Sequence, residues 1–289
     1  MVLWNRLAKN LYNSRARFVF ELLQNADDNH YTKARANGDV PFLSFQVYPR
    51  RIVLECNEDG FTKENLVAIC DVGKSSKTGA QGYIGEKGIG FKSVFMVAWK
   101  AYIQSGDFSF SFQHKNGDSG MGMISPIWES GERLAGPLTR ITLFLHETGD
   151  NDVLSGQFRE LQDTILLFMK NIKRIDITMY DESDLITSRI SFSMEEANDR
   201  VSLTKRIVQN GQVQEHMGYY HITKHTAEHL AKNENRKYSE AEEATRAYAK
   251  AEIILAFPLA HNSLPIIEPQ DVFAFLPIRH MGFKVSDLF

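Results

Sequence analysis

The sequence predicts an α/β fold in which helices and strands are interspersed, followed by a strand-rich segment. Three observations predict it. Apolar residues recur at helical intervals over 3–29 (Leu7, Leu11, Phe18, Leu22, Ala26), alternating runs mark strands from residue 42 onward, and a second helical stretch at 153–171 is followed almost entirely by strand patterns.

Taken in order, the first helix stops at Asn29 and His30. Residues 42–48 and 51–56 read as paired strands about a turn at Tyr48, Pro49 and Arg50, and 57–60 breaks the pattern. Thr62 caps a helix running to Cys70, with Glu64 and Asn65 in its first turn. The stretch 71–82 is rich in Gly, Ser, Thr and Lys, the composition of a mobile lid. Beyond a glycine cluster, a pattern from Phe91 continues as a helix, and 101–104, 108–112 and 139–145 alternate as strands. After the helix at 153–171, 174–180 completes a first domain at 1–180. The second region, 181–289, carries strands at 190–194, 201–205 and 218–222, with Asn210 and Gly211 as a strong hairpin signal. A charged stretch at 225–250 reads as a solvated helix or loop before strands return at 251–258 and 272–277. The last residues are strand-like, which suggests a fragment of a longer protein.

At 289 residues the chain is long enough for a sizeable core, and 43% hydrophobic content fits a globular protein. A net charge of -3 supplies no global basic field, so neither nucleic acid nor an acidic membrane is an evident partner. Two cysteines, Cys56 and Cys70, are too few for a disulfide framework and read as small apolar residues. No apolar run reaches membrane-spanning length, and the N-terminus lacks a signal-peptide core, so the expected location is intracellular, cytoplasmic or nuclear.

The chemistry concentrates in two segments. Glu21, Asn25 and Asp28 stand at i, i+4 and i+7, one narrow face of a helix, where a carboxylate orients water and an amide oxygen serves as a neutral hard ligand for a cation. Gly85, Gly88 and Gly90 bracket Lys87 and Ile89 and lead into Phe91 and Lys92, so backbone N–H groups can approach phosphate oxygens with positive charge close by. Two rival phosphate motifs fail on inspection. Gly73-Lys74-Ser75 has Ala68 where a P-loop needs its leading glycine, and the Gly85 cluster reverses the dinucleotide-binding order.

These residues resemble the GHKL superfamily (gyrase, the heat-shock chaperone, histidine kinase and MutL), and most closely its sacsin-like and no-vein-like members, over nearly the whole chain. The resemblance implies a two-layer Bergerat sandwich at 1–180, with helices on one face of a mixed sheet. A partial transducer-like region would follow at 181–289, where Phe275-Leu276-Pro277 matches a strand of the family. It implies ATP and Mg2+ as ligands: Glu21 as general base, Asn25 as magnesium ligand, Asp28 beside them, and Gly85 to Lys92 as the phosphate box. The adenine-reading acid departs from the superfamily pattern. Glu58 matches by position, Asp59 and Asn57 compete with it, and Thr139 resembles the threonine that completes the adenine pocket.

Three functions follow. The first is slow ATP hydrolysis driving a chaperone-like cycle, with closure of the 71–82 lid, a homodimer and an unknown client implied by the resemblance. The second is a nucleotide-gated interaction module without turnover. The third comes from His225, Glu228 and His229, which fit the inverted zinc-protease signature and would set two imidazoles one helical turn apart.

Overall fold

The computed structural model describes residues 17–70, 91–115, 125–146, 151–197, 200–232, 249–267, 270–274 and 276–283. Of the expected features, residues 3–16 of the first helix, the 71–82 lid, and Gly85, Lys87, Gly88, Ile89 and Gly90 lie outside the described residues.

The chain enters through helix α1 (Arg17–Asp27) and a short helix α2 (Thr32–Ala36). Strands β1 (Phe42–Val47) and β2 (Arg51–Cys56) then form the expected hairpin, and α3 (Lys63–Cys70) follows. A 3-10 turn at Phe91–Met96 leads into β3 (Ala98–Ser105), β4 (Phe108–Gln113), β5 (Ile127–Trp128) and β6 (Thr139–Leu145). Helix α4 (Asn151–Arg159) and a second 3-10 turn (Asp163–Phe168) precede β7 (Arg174–Tyr180). The remainder is β8 (Ile186–Ala197), β9 (Arg200–Gln209), β10 (Gln212–Ala227) and β11 (Ala251–Leu259), plus β12 (Gln270–Ala274) and β13 (Leu276–Phe283).

Among the described residues, eleven strands make one sheet in the order β11-β10-β9-β8-β7-β1-β2-β6-β3-β4-β5, and β12 pairs with β13 separately. Among the described residues only β1 and β7 run parallel; the other pairings are antiparallel. The fold is therefore mixed α/β with a large, mostly antiparallel sheet. Because β8 pairs directly on β7, the boundary expected near residue 180 falls within that continuous sheet.

Alternation decides which face is covered. Leu43, Phe45 and Val47 on β1, Ile52, Leu54 and Cys56 on β2, Ile141, Leu143 and Leu145 on β6, and Ile175, Ile177 and Met179 on β7 all point to one buried side. Ile190, Phe192 and Met194 of β8 and Val201 and Leu203 of β9 extend that row. Helix α1 covers it with Phe18, Val19, Leu22, Leu23 and Ala26, and α4 does so through Phe158, whose ring lies 5.0 Å from that of Phe45. Each Val, Leu, Ile, Phe or Met among them contributes about 1.5–3 kcal/mol by leaving water.

Three elements differ from expectation. The helix expected over 153–171 ends at Arg159, and Gln162 is extended (φ -100, ψ 142). Ile165, Leu166 and Leu167 are consecutive and all buried, which a one-sided α-helix cannot arrange but a tight 3-10 turn over β8 and β9 can. The segment after the glycine cluster is likewise 3-10, burying Phe91, Val94 and Phe95. His225 lies on strand β10 rather than on a helix, paired with Ile253 of β11. The Asn210-Gly211 turn forms as expected, with both φ angles positive (53 and 74), the geometry of a tight hairpin. Among the described residues no helix is long and apolar enough to cross a membrane.

Candidate functional site

The candidate site lies at the end of the sheet where β2 and β3 finish and β6 begins. Sheet register sets it up: Thr139, the first residue of β6, is flanked by Cys56 of β2 on one side and Ser105 of β3 on the other. Directly opposed residues share a face, so all three look toward the covered side, and all three are buried. Glu58 follows two residues after Cys56 and is only 3% exposed. The Thr139 hydroxyl donates to Glu58 Oε1, and Ser105 Oγ is bonded to Thr139 Oγ1.

The three candidate adenine readers separate sharply. Asn57 is occupied by the backbone: its Oδ1 accepts from Phe42 N at 2.8 Å and its Nδ2 donates to Val40 O at 3.0 Å. Asp59 caps α2, accepting from the N–H of Thr32 (3.1 Å) and of Lys33 (2.8 Å) and from the Thr32 hydroxyl. Burial works against the Asp59 anion, yet the Thr32 hydroxyl and those two N–H groups hold its carboxyl below the usual carboxylate range. Glu58 is left as the carboxylate joined to Thr139. Gly60 makes the turn between them and α3 at φ +95, and its Cα faces the backbone of Gly106.

Helix α1 ends against this loop. The Tyr31 hydroxyl donates to Ala26 O at 2.9 Å, and Asp59 N donates to His30 O at 2.8 Å. Tyr31 is wholly buried; burial first, then Cys56, Glu58 and Asp27 nearby, push its phenol far above the ordinary value. Burial and Glu58 likewise raise the Cys56 thiol, so both groups stay neutral beside the carboxylate. Glu21 and Asn25 occupy the half-buried flank of α1, one turn apart, with its apolar face on the sheet. Asp28 follows the last helical residue, its N–H still bonded to Gln24 O at 2.9 Å, and its buried carboxylate lies 3.9 Å from Lys170 Nζ.

At the start of the 3-10 turn, Phe91 is buried and packs its ring 6.4 Å from Phe112. Lys92 Nζ donates to Ile69 O at 2.7 Å and sits 4.4 Å from the Phe112 ring centroid. A lysine on the last turn of α3 suits the negative end of its dipole. Burial, partly offset by Cys70, lowers the Lys92 amine to about 8. Helix α3 has no fully buried residue and depends on its ends: Thr62 and Asn65 exchange capping bonds at its start (2.8 and 3.3 Å), and Lys92 holds its finish.

The zinc constellation does not assemble. His225 is on a strand, Glu228 is paired with Lys250 at 2.7 Å, and no group of three or more His, Cys, Asp or Glu among the described residues could hold a metal ion. A cleft of about 250 Å3 at the opposite end of the sheet is lined by Tyr48, Arg51, Phe144 and Asp184. Arg51 stacks on Tyr48 and faces Asp184 at 3.9 Å, while Asp181 ties its own turn, so that end is a braced corner.

Ser105 and Asp27 were not singled out from sequence. Asp27 accepts from three consecutive backbone N–H groups, those of Lys170, Asn171 and Ile172, and pins the end of α1 to the entry of β7. The only signal for it was the adjacency of two acids after Asn25; for Ser105 there was none, since its role follows from strand register.

The Sacsin domain family matches residues 3–113 of this chain. Protein NO VEIN of Arabidopsis thaliana is 32% identical over 303 aligned residues, covering 96% of this chain. The chain belongs to the sacsin-like family. It spans about 10% of the length of that relative. The family match at 3–113 takes in α1, the 57–60 loop and the Phe91–Met96 turn.

Proposed function

We propose that this sacsin-like chain is a magnesium-dependent ATP-binding domain of the GHKL type, a Bergerat sandwich that hydrolyses ATP slowly to drive a chaperone-like conformational cycle. The observation that carries the reading is the buried Glu58–Thr139 pair: two residues 81 apart in sequence, each assigned to base recognition, are joined by a hydrogen bond at the sheet end against which α1 terminates. A buried carboxylate held by the Thr139 hydroxyl, with Tyr31 and Cys56 beside it, offers an acceptor, which suits the amino group of an aminopurine. The donor types on α1 fit the remaining ligand. Asn25 would hold Mg2+ through its amide oxygen, Glu21 would orient water, and Mg2+ when bound neutralises charge on the phosphate oxygens. Gly85 to Lys92 would supply N–H groups and positive charge to those oxygens. A homodimer and a client protein belong to the same proposal.

Mg-ATP binding and phosphate release measured on wild type, Glu21→Ala and Asn25→Ala test it. Glu21→Ala is expected to bind and lose turnover, and Asn25→Ala to lose the magnesium-dependent part of the affinity. Absence of binding at millimolar Mg-ATP would overturn the reading; binding with no phosphate release in wild type would reduce it to a nucleotide-gated interaction module.

A further inference from the structure

We propose that Ser105 is a positioning residue of this site: acting through Thr139, it holds the Glu58 carboxylate as a fixed acceptor for an exocyclic amine on the bound base. The inference rests on the nucleotide reading above and goes beyond it by naming what orients the reader.

The direction of the hydrogen-bond chain carries the argument. Phe61 N–H can only donate, and it does so to Ser105 Oγ at 2.8 Å. Ser105 has one further partner among the described residues, Thr139 Oγ1, so the Ser105 proton goes to Thr139. Thr139 then has its own proton left for Glu58 Oε1. The reverse arrangement, a protonated Glu58 donating back to Thr139, gives Ser105 a second incoming proton and leaves its own without an acceptor. In a side chain 1% exposed no water replaces that acceptor. The chain Phe61 N–H to Ser105 to Thr139 to Glu58 therefore runs in one direction, each group donating to the next, and ends on Glu58 Oε1 as the acceptor. Asn57 and Asp59, committed to backbone groups, cannot substitute for it. A carboxylate fixed in this way rewards a base that presents an N–H2 group and gives nothing to one that lacks it.

The test compares two ligands in three proteins. Affinities for Mg-ATP and for the triphosphate of purine riboside, which lacks the 6-amino group, are measured by calorimetry on wild type, Ser105→Ala and Ser105→Cys. Wild type is expected to prefer ATP by about tenfold or more, the range for a hydrogen bond to a charged group. Ser105→Ala should bring the ratio to within about threefold, and Ser105→Cys, a weaker donor of similar volume, should fall between them. A merely structural role would weaken both ligands equally and leave the ratio intact, which would overturn the proposal. If Ser105→Ala does not fold, the Ser105→Cys ratio decides: an undiminished preference for ATP refutes the role. Equal affinity of wild type for both ligands would overturn the reading of the base by Glu58 while leaving triphosphate binding in place. Failure of wild type to bind either would remove the nucleotide reading itself, and the proposal with it.

Discussion

Removing the Asp27 carboxylate should destabilise the chain more than removing any acid proposed to touch nucleotide. Its Oδ1 accepts from Asn171 N and Ile172 N, both at 2.9 Å, and its Oδ2 from Lys170 N at 2.8 Å. Ile172 is fully buried, so in Asp27→Ala its N–H loses its partner with no water to replace it, at about 1–3 kcal/mol. The other two N–H groups lie nearer the surface and recover part of their loss, giving a total of about 3 kcal/mol. Asp27→Asn keeps one acceptor oxygen but turns an N–H2 toward one of the N–H groups, so roughly half of that loss is expected. Urea unfolding of the three proteins checks the ladder, at matched slope. Because Asn171 Nδ2 also donates to Asp27 O and Asn29 O (2.7 and 3.2 Å), the pair Asp27→Ala and Asn171→Ala should be strongly non-additive. A loss below about 1 kcal/mol in Asp27→Ala would refute the claim that this carboxylate joins α1 to β7.

Four other outcomes follow from the geometry. Gly60→Ala places a side chain at φ +95, costing about 1–3 kcal/mol of stability in thermal melts and weakening nucleotide binding through the Glu58 loop. Gly131→Ala inserts a methyl against the Tyr102 hydroxyl and Ser109 Oγ, which are bonded to each other at 2.8 Å; a loss of about 1–3 kcal/mol in chemical unfolding is expected. For Lys92, whose amine is lowered from 10.5 to about 8 by burial, the unfolded chain holds a proton that the folded one lacks between those values. Wild-type stability relative to Lys92→Met should then rise as pH goes from 8 to 10 and stay flat below 7, and a flat difference throughout would be the contrary result. Glu58→Asp withdraws the carboxylate by about 1.5 Å from the Thr139 hydroxyl, so ATP affinity should drop even though the charge is kept; equal or tighter binding by calorimetry would contradict the placement.

Much of the fold was legible because its strands are half-buried. Leu43, Phe45 and Val47 alternate with polar neighbours on β1, and the same period runs through β2, β6 and β7, so their existence, and the pairing of β1 with β2, followed from period and turn residues. Asn210-Gly211 was readable for a different reason, since few other pairs tolerate positive φ at both turn positions. The failures came where burial is continuous or side-chain pattern is ambiguous. Ile165, Leu166 and Leu167 carry no period, so a helix and a 3-10 turn look alike in sequence until the strands beneath them are known. At His225 the charged composition suggested a solvated helix or loop, but pairing with Ile253 over a nine-residue register decided for a strand.

The site shows the same division in miniature. Asn57, Glu58 and Asp59 are three consecutive side chains with acceptor oxygens, and composition offers no means of ranking them. What ranks them is position relative to two other elements. The backbone at Val40 and Phe42 claims Asn57, and the start of α2 claims Asp59. Glu58 reaches Thr139 because Cys56 and Thr139 are opposite one another in the β2–β6 ladder. Ladder register is a long-range property: shifting β6 by one residue would turn Thr139 to the open face and bring Arg140 to the Glu58 side. The acid proposed to read the base is thus selected by the pairing of strands, and the two flanking residues are conditions for that selection, because each fixes the loop that carries Glu58 between them.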